Sequence, residues 1–129
     1  CIRDRIGAGA ESSLVELVGG DLSAITAKTV SQAALGGDHF CVEVIRETAH
    51  FLGSAVANLV NIFNPDIVVI CGGVTLTGDH LFEPLRNQVV RRAFAPSVAA
   101  CKIVPGGLPG TAGVYGAAKS FMTQSEAAG

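Results

Sequence analysis

The sequence predicts an α/β domain in which parallel strands are covered by helices. Three features of the 129-residue chain indicate this class: apolar residues at helical spacing through 38–63, an apolar run without alternation at Asp66–Cys71, and a second short apolar run at Ala99–Val104. A strand without alternation is typical of a parallel sheet that is buried on both faces. The chain has the length of one ordinary domain, so we expect one lobe.

Short helices are expected in the first part of the chain, residues 1–37. The sequence Glu11-Ser12-Ser13 is suited to cap a helix that begins near Leu14. Thr26 is the expected N-cap of a second helix, which runs to Ala34 before Gly36-Gly37 ends it.

The longest helix is predicted to begin after Asp38, an N-cap residue, and to end at Asn64-Pro65, because the residue before a proline avoids the helical region. Its predicted buried face carries Ile45, Ala49, Leu52, Val56, Leu59 and Phe63. From this face and from the unbroken strand, we expect Leu52 and Val69 to be buried core residues.

Two further helices are predicted. The first starts at about Glu83, after a loop over Thr75–Gly78, because proline favours the first turn of a helix. Its inward side chains are expected to be Phe82, Leu85, Val89 and Ala93. The last helix covers Thr111–Phe121 after a turn at Pro105–Pro109, and the tail TQSEAAG is expected to fray. Small residues in that helix are expected to allow close packing: Gly113, Gly116, Ala117 and Ala118.

A glycine pair follows each predicted strand. Gly72-Gly73 and Gly106-Gly107 each stand shortly before a helix. A tight turn is the more common reason for one such pair, but open α/β sheets bind ligands at the carboxyl ends of their strands, where glycine lets a ligand reach the backbone. The repetition therefore favours a ligand-binding edge. Neither pair fits the GxGxxG or the P-loop pattern, which disfavours a P-loop NTPase.

Composition excludes several other functions. The formal net charge of −2 argues against binding to a nucleic-acid backbone, and no apolar run approaches the length that spans a bilayer. The four cysteines lack metal-ligand spacing, so we expect free, buried thiols, as in the cytoplasm. The histidines are scattered, and spacing assigns no catalytic or metal-binding residue. Because the chain begins with Cys1 rather than Met, we expect it to be the later part of a longer protein.

The segment 25–118 resembles the C-terminal part of the ROK family, a group of bacterial sugar kinases and related repressors built on the actin-like ATPase (ribonuclease H-like) fold. The matching strings are ITAKTV, GSAVANLVNIFNPDIVVICGGV and IVPGGLPGTAGVYGAA, in the family's order. The resemblance implies a partial C-terminal lobe. In it, residues 1–37 form short helices, residues 38–124 form a helix-strand-helix-strand-helix nucleotide-binding part, and residues 125–129 form a tail.

The resemblance also implies a nucleotide site. In this family the glycine pair after the strand approaches the adenosine of ATP, which would place Gly72, Gly73, Val74 and Thr75 against the nucleotide. Cys71 stands where a third glycine is usual, and Thr111 stands where an acidic or amide residue is common.

Two functions are compatible with the resemblance. The first is an ATP-dependent hexose kinase, similar to glucokinase, in which Mg²⁺ offsets phosphate charge. The family's catalytic aspartate, phosphate loop, sugar-binding residues and structural zinc motif are absent here and are expected upstream. The alternative is the ligand-sensing and dimerising lobe of a sugar-responsive repressor; a degenerate fragment without a ligand is a third interpretation. We expect a cytoplasmic homo-oligomer that binds nucleotide and hexose, and no membrane or nucleic acid through this segment.

Overall fold

The structure of the protein is a computed structural model that describes residues 2–107 and 111–127. Cys1 and the second half of the turn predicted at Pro105–Pro109 therefore lie outside the described residues. The helices and strands are α1 (Ile2–Gly7), α2 (Leu14–Leu17), α3 (Ala27–Leu35), α4 (His39–Phe63), β1 (Ile67–Ile70), α5 (Asp79–Arg92), α6 (Ala95–Ala100), β2 (Lys102–Pro105) and α7 (Ala112–Ala127), with short 3₁₀ helices at Leu22–Ala24 and Gly73–Thr77.

Side-chain caps fix the starts of α3 and α4, as predicted. Thr26 forms a capping box at α3. The carboxylate of Asp38 accepts hydrogen bonds from the amide of Cys41 (2.9 Å) and from the hydroxyls of Ser12 (2.8 Å) and Ser13 (2.7 Å), and thereby ties α2 to α4. Burial opposes ionisation of Asp38, but these hydrogen bonds outweigh it and hold the pKa of the carboxyl well below its usual range.

The core lies between α4 and α5, with α2, α3 and one strand residue packed against them. Gly53 of α4 is buried where the two helices meet: an added Cβ would lie 2.8 Å from the Cβ of Gln88 and 2.9 Å from the carbonyl oxygen of Leu85. The amide of Gln88 donates to the hydroxyl of Ser54 (3.1 Å), and its oxygen lies 3.1 Å from Nδ1 of His50. The largest fully buried side chains are Leu14, Cys41, Val60, Thr77, Leu81, Leu85 and Val89.

The sheet in the described residues has two parallel strands, with Ile67 opposite Lys102 and Ile70 opposite Pro105. One face of β1 packs on the core through Ile70, which is 8% exposed. The other face is bare, because Ile67 and Val69 are each 52% exposed. The prediction of parallel strands is confirmed, whereas the predicted burial of both faces of β1, and of Val69, is wrong for this chain.

The inner face of α4 also differs from the prediction. Ile45, Ala49 and Val56 are buried and Leu52 is half-buried, but Leu59 is 46% exposed and Phe63 is 70% exposed. After Val56 the core continues at Val60, four residues later. In the last two turns, Val60 therefore faces the core, whereas Leu59 and Phe63, which were predicted to be inside, face solvent.

Two features on the carboxyl side of β1 were predicted wrongly. The region Thr75–Gly78 is mostly a 3₁₀ helix rather than a loop. α5 begins at Asp79 rather than near Glu83, because the carbonyl of Gly78 already accepts the amides of Leu81 and Phe82, both at 3.0 Å. Its inward residues agree with the prediction: Phe82, Leu85 and Val89 are buried and Ala93 is half-buried.

The last third of the chain departs further. Ala99 and Ala100 end α6, so the second strand is shorter than predicted. α7 continues to Ala127 and includes most of the tail that was expected to fray. Added Cβ atoms at Gly113 and Gly116 would meet no atom within 4 Å, so these glycines face open space instead of a packed neighbour.

The core makes a direct prediction about stability. Leu85→Ala should lower the free energy of unfolding by about 2–5 kcal/mol, because Leu85 is fully buried and its loss leaves a cavity. Leu59→Ala is the matched control, since the same atoms are removed from a side chain that is 46% exposed. Denaturant midpoints measure both, and equal losses would contradict the placement of the core.

The Asp38 cap predicts a pH dependence. At pH 7, Asp38→Ala should lower the free energy of unfolding by about 1–2 kcal/mol, as loss of an N-cap does. The folded-state pKa lies below the unfolded value of about 3.9, so the stabilisation is complete above that pH and is lost as pH falls through the folded-state pKa. The gap between wild type and variant should therefore be smaller at pH 3.

Denaturant unfolding at pH 7 and pH 3 measures this difference. Glu16→Ala removes an exposed carboxyl from α2 and should change stability at pH 7 by less than about 0.5 kcal/mol. A gap between wild type and Asp38→Ala that is as large at pH 3 as at pH 7 would show that the ionised cap is not the source of the effect.

Candidate functional site

The two glycine pairs lie side by side at one edge of the sheet. Because β1 and β2 are parallel, their carboxyl ends meet at the same edge. The amide of Gly106 donates to the carbonyl oxygen of Ile70 (2.8 Å), which extends the pairing one residue past β2. The chain therefore leaves both strands at adjacent points, through Gly72-Gly73 and Gly106-Gly107.

Three of these four glycines face open space. An added Cβ at Gly72, Gly73 or Gly107 would meet no atom within 4 Å. Gly72 also has φ 120°, a conformation that residues with side chains rarely adopt. Gly106 differs, because an added Cβ there would lie 2.5 Å from Sγ of Cys71. A ligand can thus approach the backbone at the end of β1 without meeting a side chain of the glycines themselves.

Local hydrogen bonds hold the segment after the first glycine pair. The amide and the hydroxyl of Thr75 both donate to the carbonyl oxygen of Gly72, at 3.1 Å and 2.7 Å. The hydroxyl of Thr77 donates to the carbonyl oxygen of Val74 at 2.6 Å. These bonds stabilise the 3₁₀ helix Gly73–Thr77 and fix the direction in which the chain leaves the sheet after the glycine pair.

Two clefts flank this 3₁₀ helix. Val74 is half-buried and lines a mostly apolar cleft of about 400 Å³, to which Ile25, Thr26 and Val30 also contribute. A larger cleft of about 660 Å³ begins at the other end of the helix, at Leu76. Its rim is charged and includes Arg46, Asp79, His80 and Glu83. The predicted site residue Val74 belongs to the smaller cleft, and Gly72 and Gly73 lie on the surface beside it.

The described residues show no metal-binding cluster, and two of their thiols resist ionisation. Over residues 2–107 and 111–127, no group of three or more His, Cys, Asp or Glu side chains could hold a metal ion. Burial raises the pKa of the Cys41 thiol to about 11 and also raises that of Cys101, which keeps both protonated at neutral pH. No helix in the same ranges is long and apolar enough to cross a membrane.

Residues 7–124 match the ROK family. The chain belongs to the ROK family. A solved structure of a ROK family glucokinase from Streptomyces griseus, in complex with glucose and AMPPNP, aligns with a TM-score of 0.78 and 30% identity, covering 92% of this chain and 39% of that one. The α/β architecture is thus that of the ROK sugar kinases, the actin-like ATPase fold.

ROK relatives with two kinds of name resemble this chain. A glucokinase from Thermotoga maritima is 38% identical over 107 residues, which are 83% of this chain and 34% of that protein. A putative xylose repressor from Caldicellulosiruptor sp. is 46% identical over 65 residues, which are 50% of this chain and 16% of that protein. The chain therefore spans about a third or less of the length of these relatives.

Three residues that line the smaller cleft with Val74 were missing from the site predicted from the sequence. Ile25, Thr26 and Val30 lie far from Val74 along the chain, and the structure brings them to the same cleft. A signal for them existed, because they belong to the ITAKTV string that carries part of the family resemblance. Their contact with the glycine-rich segment depends on how α3 packs against the 3₁₀ helix.

Proposed function

We propose that this chain is part of an ATP-dependent hexose kinase, similar to glucokinase, and that it forms one wall of the adenosine pocket. The observation that carries the proposal is the pair of adjacent strand ends, where Gly72, Gly73 and Gly107 leave the backbone open to a ligand. Ligands of open α/β sheets bind at such an edge. The similarity to named glucokinases favours a nucleotide and a sugar as the ligands.

Each predicted site residue has a role in this proposal. Gly72 and Gly73 allow the adenosine to lie against the backbone, because no side chain projects from them. Val74 offers an apolar contact at the mouth of the smaller cleft. Thr75 maintains the turn through its two bonds to Gly72. An apolar slot beside open backbone suits a flat heterocycle such as adenine.

The phosphoryl-transfer chemistry is assigned to the rest of the kinase. Phosphoryl transfer needs a group to orient or deprotonate the sugar hydroxyl and Mg²⁺ to offset phosphate charge. No described residue of this chain is assigned to either task, or to a structural zinc site. In the proposed kinase, residues 1–37 form short helices, residues 38–124 form the nucleotide-binding part and residues 125–129 form a tail. The proposed kinase is a cytoplasmic homo-oligomer.

Gly73→Val tests the adenosine wall. In the full-length kinase, this change should raise the KM for ATP by about tenfold or more, since a branched side chain would occupy space used by the adenosine at a cost of more than about 1.4 kcal/mol. The KM for the hexose should change much less. Steady-state kinetics with each substrate varied in turn measure both constants.

Gly7→Val is the matched control. Gly7 likewise has no atom within 4 Å of an added Cβ, but it ends α1 and belongs to neither glycine pair. The Gly7→Val variant should therefore have the same KM for ATP as the wild type. Equal effects of Gly73→Val on both substrates, or no effect, would count against the adenosine wall.

A sugar-responsive repressor is the second candidate, favoured by the 46% identity to a putative xylose repressor over half of the chain. In that function this lobe would sense a ligand and dimerise. Two assays on the full-length protein separate the candidates: hexose-dependent release of ADP from ATP, and sugar-dependent binding to operator DNA. ADP release without DNA binding supports the kinase, whereas DNA binding without ADP release supports the repressor.

A further inference from the structure

β2 has one paired edge and one free edge. In the described part of the chain the sheet consists of β1 and β2. The amides of Lys102 and Gly106 donate to the carbonyl oxygens of Asp66 and Ile70, at 2.9 Å and 2.8 Å. Main-chain groups of a strand alternate in direction, so Ile103 and the residue two positions later, Pro105, direct theirs away from β1. These outward groups are what an additional strand would have to bond.

Two of the outward groups are unavailable to an additional strand, one at each position and for a different reason. The carbonyl oxygen of Ile103 accepts two hydrogen bonds from the guanidinium of Arg86, from Nη2 at 3.0 Å and from Nε at 3.3 Å. Pro105 has no amide hydrogen to donate. Natural proteins use charged side chains and proline in this way on exposed strand edges.

Side chains do not cover the free edge of β2. A groove of about 370 Å³ runs beside β2, between α5 and the strand, and is lined mainly by apolar side chains such as Val89, Val98 and Ile103. Val90 on its rim is 62% exposed. Arg86 spans the groove from α5, with its guanidinium carbon 5.3 Å from the centre of the Phe82 ring. Because the groove is open, an incoming strand would meet the hydrogen bonds from Arg86 to Ile103 rather than a layer of covering side chains.

We propose that Arg86 guards the free edge of β2 against the same edge of a second copy of this protein. Two identical edges pair antiparallel about a twofold axis, because each then presents the same groups to the other. That pairing requires the carbonyl oxygen of Ile103 as an acceptor. Arg86 holds this oxygen within its own chain, so an incoming strand must first displace a charge-assisted hydrogen bond.

Arg86→Ala in the full-length protein tests the guard. The constant for association beyond the wild-type oligomer should rise by about a hundredfold, because each of the two copies no longer has to displace a charged hydrogen bond of about 1.4 kcal/mol, the equivalent of a factor of ten. Sedimentation velocity over a concentration series measures the constant. Hydrogen exchange should show that the outward amide of Ile103 becomes protected in the associated species only.

Two further variants keep the test decisive. Arg91→Ala removes an exposed arginine of the same helix that makes no hydrogen bond to the carbonyl of Ile103, and it should behave as wild type. Pro105→Val restores an outward amide without a change of charge and should also increase association; it decides the question if circular dichroism shows Arg86→Ala to be unfolded. The proposal is overturned if Arg86→Ala associates no more than wild type, if Arg91→Ala associates equally, or if the Ile103 amide stays unprotected.

Discussion

The close approach of α4 and α5 at Gly53 determines where the strand ends lie. No side chain larger than hydrogen fits between this residue and the backbone of Leu85. α4 leads into β1 through Asn64, a left-handed C-cap with φ 46°, and α5 begins directly after the glycine-rich 3₁₀ helix. The separation of the two helices therefore sets the position of β1 and of the segment that leaves it. An enlarged separation would displace the candidate site without any change in its own residues.

The candidate site combines firm support with an open surface. Hydroxyl and amide bonds close the 3₁₀ helix after Gly73, whereas the glycines beside it meet no side chain. The bare face of β1 carries Ile67 and Val69, so this lobe exposes apolar surface close to the site. An open surface of this kind can contact one side of a ligand but cannot enclose it. It therefore fits the proposed function, in which other parts of the kinase complete the adenosine pocket.

Local signals in the sequence predicted the elements whose causes are local. Asp38 and Thr26 cap the helices that follow them, and Asn64-Pro65 ends α4. The start of α5 was missed because the rule that places proline in the first turn competes with the carbonyl of Gly78, which accepts the first helical amides. The exposure of Val69 was missed because an apolar pattern shows what a strand prefers to contact and does not show which neighbours the fold places against each face.

The candidate site was predictable only in part for a similar reason. Gly72-Gly73 carries a signal within a few residues, since glycine pairs after strands mark a possible close approach. Ile25, Thr26 and Val30, which line the smaller cleft with Val74, carry no glycine signal, because they come from the turn before α3 and from α3 itself; only the family resemblance of the ITAKTV string marked them. Finally, Cys71 and Gly106 share one small volume between the strand ends. A side chain at position 106 requires the side chain of residue 71 to turn away or to become smaller, so these two positions should vary together among homologues.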